Sequence, residues 1–153
     1  VIGRLARASG LVALALLVAC GVGTYRSGRV TGELEMRLVA SEGRPGEPLR
    51  RWFTDETLRV EDEPFVQTEH VREVQLENLP DGGRQLVLYL NEVGAQRLAE
   101  VTQAHEGRRL AIVVDRRILA APVIRGAITD GVAALSVPDE HVEEVFGALT
   151  TAR

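Results

Sequence analysis

The groups in this chain that could do chemistry are few: the thiol of Cys20, the imidazoles of His70, His105 and His141, two carboxylates at Asp115 and Asp130, and a crowd of arginines. The thiol is the strongest candidate, because a thiolate is a good nucleophile at accessible pH and Ala19 and Gly21 leave it open to approach. No histidine stands at a metal-ligating spacing from another, so all three read as solvated side chains. Asp115 and Asp130 could be imagined as a catalytic pair, but each flanks a predicted turn or strand end, where Asp stabilises the local backbone. There is neither a serine elbow nor a phosphate-cradling glycine loop. The residues therefore predict no catalytic, cofactor-binding or metal-binding site; the chain does not read as an enzyme.

Arg108, Arg109, Arg116, Arg117 and Arg125 mark both ends of a predicted hairpin. They could converge on an anionic partner such as lipid headgroups, an acidic polypeptide or an envelope polymer. They could equally form a charged rim that keeps the hairpin soluble and discourages edge pairing. All 18 basic residues are arginine, which is read as codon bias in a GC-rich genome, and the net charge of -4 argues against nucleic-acid binding.

The elements that must position these groups begin at the amino end. Arg4 and Arg7 precede the apolar run Leu11 to Val18, which is too short for the roughly 20 residues that cross a bilayer. A basic start, a short apolar centre and small residues before the break predict a secretory signal peptide over 1–19. The tetrad Leu17-Val18-Ala19-Cys20 resembles the lipobox of bacterial lipoproteins. That resemblance implies diacylglycerol on the Cys20 thiol, cleavage before it and acylation of the new amino terminus, and two or more acyl chains anchor stably. An ordinary cleaved signal and an uncleaved buried helix are the other readings. Gly21 after the cysteine points, by analogy with lipoprotein sorting, to the outer rather than the inner membrane of a two-membrane cell, with the domain facing the periplasm. No second cysteine is available for a disulfide, so stability must come from a core, which 45% apolar content can build.

Residues 20–32, with Gly21, Gly23, Gly28 and Gly32, are expected to be a flexible tether leading to one domain over 33–153. Leu34, Met36 and Leu38 alternate with Glu35 and Arg37 as a strand does. Ser41 to Arg51 reads as a loop from Gly43, Pro45, Gly46 and Pro48, and Leu58 with Val60 suggests a short strand pairing with the first. Thr68 to Val74 is assigned one or two helical turns. Leu86, Leu88 and Leu90 make an interior strand, Asn91 caps a helix that Gly107 stops, and Val142, Val145, Phe146 and Leu149 mark a closing helix with Pro138 in its first turn. Leu110 to Val114 is an apolar run of the kind covered on both faces. Ile118 to Ala121 is its hairpin partner, and Pro122 ends the pairing. The class is α+β: a mostly antiparallel sheet of about five to six strands with two main helices packed on one face, in a ferredoxin-like arrangement.

Across residues 57 to 150 these features resemble the head subdomain in the first periplasmic region of SecD, a membrane subunit that assists the bacterial preprotein translocase. Glu63-Pro64, Gly94-Ala95, Thr102, Ile128 and Gly131 stand where that family places such residues. Asp115-Arg116 replaces the family's usual Asp-Gly turn, and Val132 to Ser136 replaces a glycine-containing strand end. No segment matches the family's membrane helices, so the chain reads as a stand-alone SecD-like head on a lipoprotein. The resemblance implies a non-enzymatic envelope protein that binds polypeptide or an envelope protein in export, folding or assembly, with the Sec machinery among its partners. It would grip its ligand by an apolar groove beside an open strand edge. The alternative is a structural lipoprotein adaptor that recruits one fixed envelope partner.

Overall fold

The structure, a computed structural model, describes residues 25–151. The signal segment 1–19, Cys20 and residues 21–24 of the expected tether lie outside the described residues. Ten strands are present: β1 (Tyr25–Gly28), β2 (Leu34–Leu38), β3 (Glu47–Arg50), β4 (Thr57–Val60), β5 (Val66–Gln67), β6 (Val71–Asn78), β7 (Arg84–Leu90), β8 (Leu110–Val114), β9 (Arg117–Ala120) and β10 (Val132–Ser136). Two helices, α1 (Glu92–Ala104) and α2 (Val142–Thr150), complete the α+β architecture, with a single 3-10 turn at Thr68–His70. The strands form two four-stranded sheets, in the orders β1-β6-β7-β10 and β5-β2-β8-β9, and a separate β3-β4 hairpin. Pairing between these strands is antiparallel throughout, and their number exceeds the five to six expected.

Period-two alternation explains how one core serves both sheets. Val74 and Leu76 of β6, Leu86, Leu88 and Leu90 of β7, and Ala133 and Leu135 of β10 join Leu34, Met36, Leu110, Ile112 and Val114 of the second sheet in one cluster. Leu98 of α1 and Val142, Val145, Phe146 and Leu149 of α2 enter the same cluster, α2 packing on β6 and β7 of the first sheet and α1 on β7 and on β5 of the second. The opposite face of that sheet sets polar side chains around a buried Val87. Gln85 donates to Glu77 at 3.1 Å and the Tyr89 hydroxyl reaches the same carboxylate at 3.5 Å. Lost hydration, and then the Glu77 charge, raise the Tyr89 phenol above its ordinary value.

Strand β8 is buried along its whole length, as its unbroken apolar run predicts. Leu110, Ile112 and Val114 face the main core, whereas Ala111 and Val113 meet Leu49, Val60, Ile118 and Ala121 in a second cluster beneath the β3-β4 hairpin. At the β8-β9 turn Asp115 and Arg116 have φ of 48° and 61°, the pattern of a tight hairpin turn with both central residues left-handed. Arg116 is exposed and bridges to Glu47. Arg116→Gly removes a left-handed penalty of about 1–2 kcal/mol and an exposed ion pair of about 0.2–1 kcal/mol. A net gain of up to about 1 kcal/mol is expected in urea unfolding, and a loss of stability would show that the ion pair outweighs the backbone.

Several expectations require correction. The tether expected through residue 32 contains β1, paired with β6 from Tyr25↔Glu77 to Gly28↔Val74. Nothing apolar announces this strand; what holds it is Arg26, which lies 4.4 Å over the Phe146 ring and bonds Glu143 at 2.5 Å. Glu143 also accepts from Arg84 at 3.0 Å, and the hydrogen bond from Arg26 leads the causes that hold its carboxyl below the ordinary value. Part of the expected loop at 41–51 is β3, which tolerates Pro48 because Glu47–Arg50 pairs on one side with β4. The hairpin partner of β4 is therefore β3, although Val39 and Val60 form one bridge beyond the strands. The helical turns expected over 68–74 shrink to the Thr68–His70 turn, and Val71 onward is strand. Helix α2 starts at Val142, not in the turn that follows Pro138. His70 is buried rather than solvated, its Nδ1 accepting from the Gln67 amide at 2.9 Å. His141 is half-buried and stacks on Phe53 with ring centroids 4.8 Å apart.

Candidate functional site

The most developed concavity among the described residues is a groove of about 580 Å³ between β10 and the segment 122–130 that leads into it. Leu110 and Ile112 form part of its lining, Ile124, Ile128, Ala133 and Leu135 make it apolar, and Arg125 and Asp130 add opposite charges. Val123, 47% exposed, stands among the same lining residues.

Three attachments hold the 122–130 segment along α1. At the helix's carboxyl end the Gly107 amide donates to the Ile124 carbonyl at 2.8 Å, and the Ile124 amide donates to the Arg108 carbonyl at 2.8 Å. Midway, the Thr102 hydroxyl, fully buried, donates to the Leu98 carbonyl at 2.7 Å and accepts from the Ile128 amide at 2.9 Å. At the amino end Gly131, with φ 68°, comes so close to α1 that a Cβ there would lie 2.7 Å from the Ala95 Cβ. The start of α1 is just as tight on its other side: a Cβ at Gly94 would lie 2.9 Å from both the Cβ and the carbonyl oxygen of His70. The Asn91 side chain accepts from the Gly94 amide at 2.9 Å and donates to the Glu69 carbonyl at 2.9 Å, fixing the helix start.

Strand β10 ends its sheet, so among the described residues one side of it has no neighbouring strand. Gly131 accepts from the Leu90 amide at 2.9 Å, which continues the β7-β10 register by one pair and makes Gly131, Ala133 and Leu135 the residues whose main-chain groups face β7. The groups of Val132, Ala134 and Ser136 therefore point away from the sheet. The Val132 amide is taken by the Asp130 carboxylate at 3.1 Å, which leaves Ala134 as the first outward residue free to pair. This confirms the turn duty expected of Asp130. In the second sheet the outer side of β9 is covered by the β3-β4 hairpin through the Trp52 amide on the Ile118 carbonyl at 3.0 Å.

The arginines do not converge. Arg108 bonds Glu61 at 2.5 Å and the Val39 carbonyl at 2.8 Å, and Arg109 donates to the Ala121 carbonyl at 2.9 Å. Arg116 pairs with Glu47, and Arg117 lies 4.6 Å over the Trp52 ring and donates to the Trp52 carbonyl at 2.8 Å. These four stitch the hairpins together. Arg125 alone of the five lines the groove, and it has no hydrogen bond or ion pair to any other described residue. Among the described residues no group of His, Cys, Asp and Glu could hold a metal ion, and no helix is long and apolar enough to cross a membrane.

The fold is thus an α+β domain in which a strand edge lies beside an apolar groove, a geometry to which an extended chain segment can add by main-chain hydrogen bonds. The comparison with known proteins is specific: the family described as SecDF, P1 head subdomain, matches residues 47–143, and the chain belongs to that family. It is 39% identical over 83 residues to the protein translocase subunit SecD of Treponema pallidum, covering 54% of this chain and 14% of that protein. It is 48% identical over 54 residues to the protein translocase subunit SecDF of Thermus thermophilus, covering 35% of this chain and 7% of that protein. A solved structure of SecDF, described as a membrane component that enhances protein export, superposes with a TM-score of 0.57 at 30% identity, over 79% of this chain and 61% of that one. SecDF in its super-membrane-facing form superposes with a TM-score of 0.58 at 30% identity, over 76% of this chain and 18% of that one. The chain thus spans only a small part of the length of these curated relatives.

The positions that carried the resemblance have physical reasons. Gly94 and Gly131 are where α1 touches the 3-10 turn and the start of β10 without room for a side chain, and Thr102 with Ile128 is the clasp between α1 and the groove wall. The groove itself was not visible as a residue pattern, because its lining comes from β8, β10 and the segment between the two sheets.

Proposed function

We propose that the chain is a non-enzymatic envelope lipoprotein whose SecD-head-like domain holds extended polypeptide, accessory to protein export, folding or assembly, and held to the membrane by acyl chains on Cys20. The observation that carries this reading is the outward main chain of β10 beside the apolar groove. An extended segment can add to Ala134 and Ser136 by main-chain hydrogen bonds while its side chains enter the groove, which is recognition tolerant of sequence. The kinship with protein translocase subunits supports polypeptide as the ligand, and the Sec machinery as the neighbouring partner.

Ala134→Pro tests the edge directly. The Ala134 amide points away from β7, so proline there keeps the β7 pairing and removes only the donor that a docking strand would use. Unfolded polypeptides should bind the variant at least about tenfold more weakly, a loss matching one or two main-chain hydrogen bonds, with the circular dichroism spectrum unchanged. Unaltered binding by a folded variant would discard edge pairing. Retention of one envelope protein, with indifference to unfolded chains, would instead mark the fixed-partner adaptor. Mass spectrometry of the purified protein checks the anchor separately: acyl groups on Cys20 are expected, and their absence removes that part of the reading.

A further inference from the structure

Resting on the groove reading, we infer that Arg125 makes the groove selective for extended apolar segments that carry a carboxylate at one end. The argument begins with what the other charges are already doing. Arg108, Arg109, Arg116 and Arg117 each bond a carboxylate or a carbonyl of the fold, and the Asp130 carboxylate caps the Val132 amide. Arg125 is exposed, lines the groove and makes no such bond among the described residues. A guanidinium presents a planar fork of donors suited to a carboxylate, and at this exposed position it is open to a carboxylate arriving with a bound segment.

The placement also gives the groove a polarity. Arg125 follows Ile124, which is tied to Gly107 at the carboxyl end of α1, whereas Asp130 precedes Gly131, which packs on Ala95 at the amino end. Cation and anion therefore stand towards opposite ends of the 122–130 wall. A bound strand with its acidic residue near Arg125 meets attraction there, and the same strand with a basic residue in that place meets repulsion. The occupant is thus a chain segment of β-prone apolar residues flanked by Asp or Glu, distinct from the uniformly apolar or basic-flanked segments that the groove shape alone would accept.

The test uses the full chain and a set of synthetic eight-residue peptides with one Val/Ile/Thr-rich centre and Glu, Gln or Lys at either end, with affinities read by fluorescence anisotropy. One Glu-ended peptide should bind about threefold to fivefold more tightly than its Gln counterpart, and the Lys counterpart more weakly, as an exposed charge pair allows. The preference should shrink between 0.05 and 0.5 M salt, vanish in Arg125→Gln and reverse in Arg125→Glu. Both substitutions are at an exposed side chain with no hydrogen bond or ion pair to another described residue, so melting temperatures should not move. Equal affinity for the Glu and Lys peptides, or a preference that survives Arg125→Glu, overturns the inference while leaving the groove reading intact. Failure of every peptide to bind, or binding untouched by Ala134→Pro, overturns the groove reading and this inference with it.

Discussion

Gly131→Ala should lower the stability of the domain by about 2–4 kcal/mol, the largest effect expected of a single methyl group in this fold. Two costs combine. The residue has φ 68°, where an alanine pays about 1–2 kcal/mol for left-handed backbone, and its new Cβ would lie 2.7 Å from the Ala95 Cβ, so either α1 or the start of β10 must move. The second cost is separable because Gly107 has φ 88° with open space around the missing Cβ. Gly107→Ala should therefore show the backbone penalty alone, and the difference between the two variants in urea unfolding measures the clash. Ala95→Gly placed in the Gly131→Ala chain should recover part of that difference, giving a coupling between the two positions. Equal losses at 107 and 131, with no coupling to 95, would mean that α1 and β10 are not in contact at this point.

The sequence was most legible where local rules and tertiary packing agree. Leu110 to Val114 has no polar interruption, and the structure shows why: β8 has the main core on one face and the β3-β4 hairpin on the other. Asn91 starts α1 because one side-chain oxygen satisfies the first turn, whereas the helix ends at Ala104 with His105 as its cap, before the left-handed Gly107 that the sequence offered as its stop. Legibility failed where the stabilising contact is remote. Tyr25-Arg26-Ser27-Gly28 has no apolar alternation, and it forms a strand because Arg26 finds Glu143 and Phe146 far along the chain. Val71, Val74 and Leu76 follow neither period cleanly, because the register of β6 against β7 shifts between Val71 and Glu73.

The candidate site shows the same division. Arg125 could be named from residues, but nothing local distinguishes it from Arg108, Arg109, Arg116 and Arg117. Only the tertiary structure shows that the other four are spent on Glu61, Ala121, Glu47 and Trp52. That β10 ends its sheet is likewise a property of strand order, which one chain's periodicity does not encode.

Thr102→Val should then detach the groove wall without filling or emptying the core. Valine keeps nearly the same shape at this fully buried position but cannot accept the Ile128 amide, which now bonds the Thr102 hydroxyl at 2.9 Å. An amide left without a partner costs about 1–3 kcal/mol, and the Leu98 carbonyl loses little because it retains its place in the ladder of α1. Thr102→Ser keeps the hydroxyl and should retain the clasp, losing only the packing of one methyl group. The readout that separates a local from a global effect is amide hydrogen exchange. In Thr102→Val the Ile128 amide should exchange at least about tenfold faster than in Thr102→Ser, while the amides of β8 follow global stability alone. Polypeptide binding should weaken in parallel, because the wall that carries Ile124, Arg125 and Ile128 no longer holds one position against β10. Equal protection of Ile128 in the valine and serine variants would show that the segment is held by its ends at Gly107 and Gly131 rather than by the clasp at its middle.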